Sequence, residues 1–243
     1  MRAIILAAGE GKRLRPLTVG KPKCLVEYKG KPLLDYQLEV LRKCGIKDIV
    51  IVKGYKAEKV LREGVQFAFN KDFDSTNMVH SFFCAEELFH DDMIVSYGDI
   101  VYEACILKSL LNSMDDFSIA VSMNWKELWE KRMEDPLSDA ETMKMDKNDF
   151  IYELGQKPSS FAEIQGQYIG LFRIKGKMVE TIKKIYQGLD RRANYEGRKM
   201  EEMFMTTFIQ IIINQGYPVK GIKTLGEWIE IDSINDLKVN YNF

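Results

Sequence analysis

Two hydrophobic patterns take turns along the first half of the chain. Short apolar runs at Ala3–Leu6, Asp48–Val52, Val65–Asn70 and Met93–Ser96 predict buried strands. Between them, apolar residues recur at helical spacing. Leu34, Leu38 and Leu41 do so within Leu33–Lys43, which Cys44-Gly45 ends, and Met78, Phe82, Ala85 and Leu88 do so within Asn77–Leu88. A shorter helix is predicted over Ala57–Glu63. This alternation predicts an α/β fold, with a Rossmann-like, mostly parallel mixed sheet flanked by helices on both faces. The second half is less regular. Strands are expected at Ser118–Met123, Phe150–Leu154, Tyr168–Ile174, Val219–Lys223 and Trp228–Ile231, and helices at Lys126–Arg132, Met178–Leu189 and Met200–Gln215. With no repeat, linker or low-complexity segment evident, residues 1–243 are expected to form a single domain.

The first predicted strand breaks into Ala7-Ala8-Gly9-Glu10-Gly11, a turn of small residues, and the cations Lys12, Arg13, Arg15, Lys21 and Lys23 follow closely. Such a loop leaves backbone N–H groups to face anionic oxygens, and the cations add charge, so the residues predict a polyphosphate site. Neither of the two commonest phosphate loops fits. Leu14 stands where a dinucleotide fingerprint needs its third glycine, and no Gly-Lys-Ser or Gly-Lys-Thr occurs.

The stretch resembles the signature of the nucleotidyltransferases that activate sugar phosphates, phosphocholine and related acceptors: a strand, then L-A-A-G-x-G-x-R-[LM]-x-P-L-T, then K-P-K. Its fixed positions stand here as Leu6-Ala7-Ala8-Gly9, Gly11, Arg13-Leu14, Pro16-Leu17-Thr18 and Lys21-Pro22-Lys23. The resemblance implies the nucleotide-diphospho-sugar transferase (GT-A-type) fold, an NTP as donor and Mg2+ as cofactor. Asp99, in Ser96-Tyr97-Gly98-Asp99, and Asp232, in Glu230-Ile231-Asp232, match the two aspartates that hold the metal in that family. Each follows a predicted strand, where a short carboxylate can face a cleft, although Asp232-Ser233 also reads as a helix cap. Lys23 is the candidate for stabilising charge at the α-phosphate, and Arg13 for the β- and γ-phosphates. As an exposed cleft residue, Lys23 is expected to matter little to folding. Leu6, Ala7, Ala8, Gly9, Gly11 and Lys12 are the candidate nucleotide-binding loop, with Asn77 and Ser81 reading the base. The acceptor is already anionic, so direct displacement is expected, without a covalent enzyme intermediate.

Further along, Thr76-Asn77-Met78-Val79, the segment Trp125–Thr142, Gly155-Gln156-Lys157-Pro158 and Gln165–Leu171 resemble the cytidylyltransferase branch acting on phosphocholine, phosphonates or phosphoglutamine. The acceptor-binding portion is expected around residues 123–175. Lys157 falls where the family's second functional lysine stands. Arg132, Trp125, Asp139, Glu141, Gln167 and Tyr168 are further acceptor-binding candidates, although Trp125 and Trp129, four apart, also read as one packed helix face. CTP and a small phosphate, phosphonate or phosphoramidate are the expected substrates, with pyrophosphate released. A phosphocholine enzyme, a sugar-1-phosphate nucleotidylyltransferase and a non-catalytic nucleotide sensor are the competing readings.

Bulk composition narrows the partners. Net charge is −1, which gives no global basic field for nucleic acid, so the local cations suit a small anion. Apolar runs fall short of the roughly 20 residues of a membrane span, and the N-terminus begins directly with a strand. Cys24, Cys44, Cys84 and Cys105 form no C-x-x-C pair, so reduced thiols and a cytoplasmic setting are expected. Either a monomer or a homodimer is compatible with the sequence.

Overall fold

A computed structural model describes residues 1–241 and 243. In chain order its strands and α-helices are β1 (Arg2–Ala7), β2 (Glu27–Tyr28), β3 (Lys31–Pro32), α1 (Leu33–Lys43), β4 (Asp48–Lys53), β5 (Gln66–Phe69), α2 (Met78–Phe83), β6 (Asp92–Tyr97), β7 (Ile100–Tyr102), α3 (Ala104–Leu111), β8 (Phe117–Ser122), α4 (Trp125–Arg132), β9 (Met143–Met145), β10 (Ile151–Leu154), β11 (Gln167–Lys175), α5 (Lys177–Gln187), α6 (Met205–Asn214), β12 (Lys220–Thr224) and β13 (Trp228–Glu230).

Seven strands form one sheet in the order β12-β8-β11-β6-β1-β4-β5. β1 runs parallel to β4 and β6, β4 to β5 and β12 to β8, while β11 is antiparallel to β6 and β8. The sheet is therefore mixed, with one reversed central strand. Helices cover both faces, so the strands read as continuous apolar runs. Along β1, Ala3, Ile5 and Ala7 pack on the side of α1 and α3, while Ile4 and Leu6 pack on the side of α2, α5 and α6. None of the described helices is long and apolar enough to cross a membrane.

Three predicted helices are interrupted. Ala57–Glu63 yields a single 3-10 turn, Ala57–Lys59, entered through Lys56 in the left-handed region. Asn77–Leu88 stops at Phe83 and resumes as one turn, Glu86–Leu88. Met200–Gln215 breaks at Met203-Phe204, both extended, so that α6 begins at Met205. The last break turns the first residues of α6 toward the cleft.

β1 lies between β4 and β6, and the chain crosses to opposite sides after it. In open α/β sheets the crevice beyond such strands is where ligands sit. The loop after β1 and the turn after β6 meet there. β13 pairs antiparallel with β7, and the Ile231 N–H donates to the Asp99 carbonyl (3.0 Å). This pairing carries the C-terminal residues Glu230 and Asp232 to the same crevice.

Candidate active site

The loop after β1 is held open by its own backbone. Gly11 adopts a left-handed conformation, and its carbonyl accepts from the Thr18 hydroxyl (2.9 Å). A Cβ at Gly11 would lie 2.9 Å from Lys23 Cγ, so glycine there lets the Lys23 side chain cross the loop. The Lys23 N–H donates to the Gly9 carbonyl (3.3 Å). Among the described residues, the N–H groups of Gly9, Glu10 and Gly11 donate to no protein acceptor, as an anion-binding turn requires.

Lys23 is the hub of the site. Its ammonium lies 2.5 Å from Asp99 Oδ2 and also contacts Asp232 Oδ1, while Arg13 Nη2 lies 2.7 Å from Asp232 Oδ2. Burial works against the charge on Lys23, but Asp99, Asp232 and Glu230 outweigh it and raise its pKa above the ordinary lysine value. Burial also opposes ionisation of Asp232, yet Lys23 and Arg13 hold that carboxyl below its usual range. Glu230 is pushed well above its ordinary value by burial and by the neighbouring Asp232 and Asp99. Carboxylate oxygens of Asp99, Glu230 and Asp232 all lie within 4.8 Å of one another. Asp99 is only 5% exposed, and its Oδ1 is buried with no hydrogen-bond partner. A hard divalent cation suits this oxygen set and would satisfy the orphaned atom.

Three adjoining cavities border on Lys23 and Asp99. The smallest, about 90 Å3, is lined by Leu6, Ala7, Ala8, Gly9, Asn77 and Ser81, together with Phe73. The second, about 300 Å3, takes in Gly11, Lys12 and Arg13. The third, about 440 Å3, is bounded by Trp129, Asp139, Glu141, Gln167 and Tyr168, by Thr206 at the start of α6, and by Trp228, Glu230 and Asp232. The structure thus gathers the candidate loop residues around the first two cavities, and four of the acceptor candidates around the third. Asn77 caps α2 through its side-chain oxygen (2.8 Å to the Met78 N–H), and the Ser81 hydroxyl accepts from Asn70 (2.9 Å). Gln167 fixes Glu141: its Oε1 accepts the Glu141 N–H (3.1 Å) and its amide donates to the Glu141 carbonyl.

Gly98 brings the turn after β6 against β1. A Cβ there would meet the Leu6 carbonyl oxygen at 2.7 Å and Ala7 Cα at 2.9 Å. Gly98→Ala is expected to cost about 1–3 kcal/mol and to raise the nucleotide KM. Thermal unfolding and steady-state kinetics check both.

The structure differs from five expectations. Lys157 is exposed and does not line this cavity: Gln156 is pinned by Thr142, whose N–H donates to the Gln156 carbonyl (2.7 Å), and the next side chain points outward. Trp125 is buried behind the wall, packed on Trp129 and Phe161 with ring centroids 5.9 and 6.2 Å apart. Arg132 is sealed inside, with its side chain 2% exposed and its Nε donating to Asp236 Oδ1 (2.7 Å). Asp236 Oδ2 in turn accepts the N–H groups of Asp232 (2.9 Å) and Ser233 (2.6 Å), so Arg132 braces the Asp232 turn rather than touching a ligand, and Asp236, not Asp232, organises that turn. Arg132→Met, which strands a buried Asp236 carboxylate, is expected to cost about 3 kcal/mol; urea unfolding measures it. Lastly, Lys23 is no exposed cleft residue, since its side chain is only 13% exposed among carboxylates.

Glu230, Thr206 and Phe73 also line the site without having been singled out in the sequence, whereas Trp228 reads there as an aromatic candidate for the acceptor. Glu230 carried a signal: Trp228, Glu230 and Asp232 alternate, and alternate strand residues share a face.

Glu141 is half-buried, and burial first, with Glu196 and Asp139 adding, pushes its carboxyl from 4.5 up to about 7. A raised acid stabilises the fold while protonated, and that contribution is lost as pH rises through 7. Stability is therefore expected to fall by about 1 kcal/mol from this group between about pH 6 and pH 8. Glu141→Gln should abolish that slope in denaturant titrations at the two pH values.

A model of the MobA-like NTP transferase domain matches residues 3–157. The chain is 42% identical over 251 aligned residues to the CTP:phosphoglutamine cytidylyltransferase of Campylobacter jejuni, covering 98% of each chain. It is 38% identical over 117 residues to the choline-phosphate cytidylyltransferase of Streptococcus pneumoniae, covering 46% of this chain and 51% of the other. Among solved structures, the inositol-1-phosphate CTP transferase from T. maritima superposes with a TM-score of 0.75 at 25% identity, covering 97% of this chain and 90% of that one. The full-length relative, the domain match and the superposition agree with the loop geometry, and the chain belongs to the MobA-like NTP transferase domain family as a nucleotidyltransferase.

Proposed function

We propose that the chain transfers CMP from CTP to a small phosphorylated acceptor of the phosphoglutamine type, releasing pyrophosphate. The observation that carries this reading is the meeting of three cavities at Lys23 and Asp99, with separate spaces for a base, a polyphosphate and a second substrate. Identity of 42% over almost the whole length with a CTP:phosphoglutamine cytidylyltransferase supports CTP and this acceptor class.

In this reading the amides of Gly9, Glu10 and Gly11 hold phosphate oxygens, and Arg13 binds the β- and γ-phosphates. Asp99 and Asp232, with Glu230, would hold Mg2+, which neutralises phosphoryl charge when bound. Lys23 stabilises negative charge at the α-phosphate. The acceptor, held in the 440 Å3 cavity, presents its phosphoryl oxygen to the α-phosphorus. One P–O bond forms to the acceptor as the bond to pyrophosphate breaks, and no protein nucleophile takes part. Trp129, Trp228 and the nearby carboxylates also favour phosphocholine as a second reading, because aromatic faces attract a quaternary ammonium.

Phosphorus NMR of CTP, phosphoglutamine, Mg2+ and enzyme tests the reading. Formation of free pyrophosphate and a CDP-linked product in equal amounts is expected. Consumption of CTP with phosphocholine or a sugar phosphate, but not with phosphoglutamine, would overturn it.

A further inference from the structure

The 440 Å3 cavity is chemically lopsided. Its only lining cations among the described residues, Lys23 and Arg13, stand at the carboxylate cluster. Glu141 adds a further acid to the wall, outside the group of carboxylates that Lys23 and Arg13 contact. Its backbone is clasped by Gln167, and Thr206 Oγ1 lies 3.4 Å from Glu141 Oε1. A second observation is independent of these acids. Trp129 and Trp228 pack with ring centroids 5.9 Å apart, and both line the cavity. The Trp129 indole N–H is satisfied by Asp139 Oδ2 (3.1 Å), whereas Trp228, 3% exposed, has a buried Nε1 with no partner. An indole N–H can only donate, so what completes it is an oxygen acceptor. A cation beside Glu141 favours its ionised form, in which the carboxylate only accepts, so an N–H cation suits this acid.

Resting on the CMP-transfer reading, we propose that Glu141 and Trp228 select the end of the acceptor remote from its phosphoryl group. Glu141 accepts from an ammonium or amide N–H, and the Trp228 indole donates to a carbonyl or carboxylate oxygen. The substrate class is a phosphorylated compound derived from an amino acid. Phosphocholine offers neither partner, because its ammonium carries no hydrogen. An aminoalkylphosphonate offers the N–H alone, and a sugar phosphate lacks the cation that suits an acidic wall.

The test compares wild type, Glu141→Gln and Trp228→Phe at saturating CTP and Mg2+. Phosphoglutamine is the varied acceptor, and 2-aminoethylphosphonate and phosphocholine are competing ligands whose Ki is measured. Glu141→Gln is expected to raise both the phosphoglutamine KM and the 2-aminoethylphosphonate Ki about tenfold, leaving phosphocholine within about twofold. Trp228→Phe is expected to raise the phosphoglutamine KM about tenfold and to leave 2-aminoethylphosphonate within about twofold. The CTP KM and thermal unfolding of each variant report that the fold is intact. Equal effects of Trp228→Phe on both amine ligands would make the indole a mere wall and overturn the proposal. So would normal phosphoglutamine turnover with an unmoved KM in Glu141→Gln, while the function reading would survive. A wild type that consumes phosphocholine but not phosphoglutamine overturns the function reading and this proposal together.

Discussion

Lys23→Ala is expected to lower kcat by about a thousandfold and, in the presence of a chelator, to destabilise the protein by about 3–5 kcal/mol. The two effects have one origin. Asp99, Glu230 and Asp232 bring carboxylate oxygens within 4.8 Å of one another, and the Lys23 ammonium is the cation that contacts both aspartates from inside the cluster. Arg13 also contacts Asp232, but its side chain is 66% exposed, so water screens it. Without Lys23, the cations that remain are the exposed Arg13 at Asp232 and the buried Arg132, 3.8 Å from Glu230, and neither contacts Asp99. A divalent cation supplies the missing charge, so Mg2+ should return most of the lost stability while kcat stays low, because a metal held by the carboxylates does not replace an ammonium at the α-phosphate. Chemical denaturation with and without Mg2+, alongside turnover, separates the effects. A variant equally stable in both conditions, or one that retains kcat, would contradict this role.

Asp99→Asn should raise the Mg2+ concentration needed for half-maximal activity and reduce turnover at saturating metal by about a hundredfold. The substitution keeps the shape and removes the charge. Asp99 is fixed by its place at the turn after β6, where its carbonyl accepts the Ile231 N–H, so the backbone has little reason to move. Its buried, partnerless Oδ1 is the atom a metal would satisfy. Unchanged turnover and an unchanged Mg2+ requirement would remove Asp99 from the metal site.

The first strand and its loop were legible in sequence because their chemistry is contiguous: an apolar run, small residues, then cations. Asp99 was legible as a carboxylate ending a strand, and Asp232 from the motif around it. Their meeting was implied by the resemblance alone, since the pairing of β13 with β7 that produces it leaves no local pattern. Arg132 misled because its partner, Asp236, lies 104 residues away, and a cation near a presumed acceptor segment looks the same whether it meets ligand or protein. Lys157 misled because a motif fixes sequence spacing, not the direction in which a pinned loop sends its side chain. The start of α6 was hidden by good helical periodicity through Met200–Gln215; the extended pair Met203-Phe204 follows from packing rather than from local preference. The bulge at Gly170 was equally silent. Its positive φ brings it against Tyr97, where a Cβ would meet the ring at 2.7 Å.

Pyrophosphate release reads CMP transfer from CTP to a small phosphorylated acceptor derived from an amino acid. Each of CTP, UTP, GTP and TTP would be offered with Mg2+ and, separately, phosphoglutamine, phosphocholine, 2-aminoethylphosphonate or glucose 1-phosphate. Release is expected to be fastest with CTP and phosphoglutamine and to depend on both. Release confined to glucose 1-phosphate with UTP, GTP or TTP would contradict this transfer.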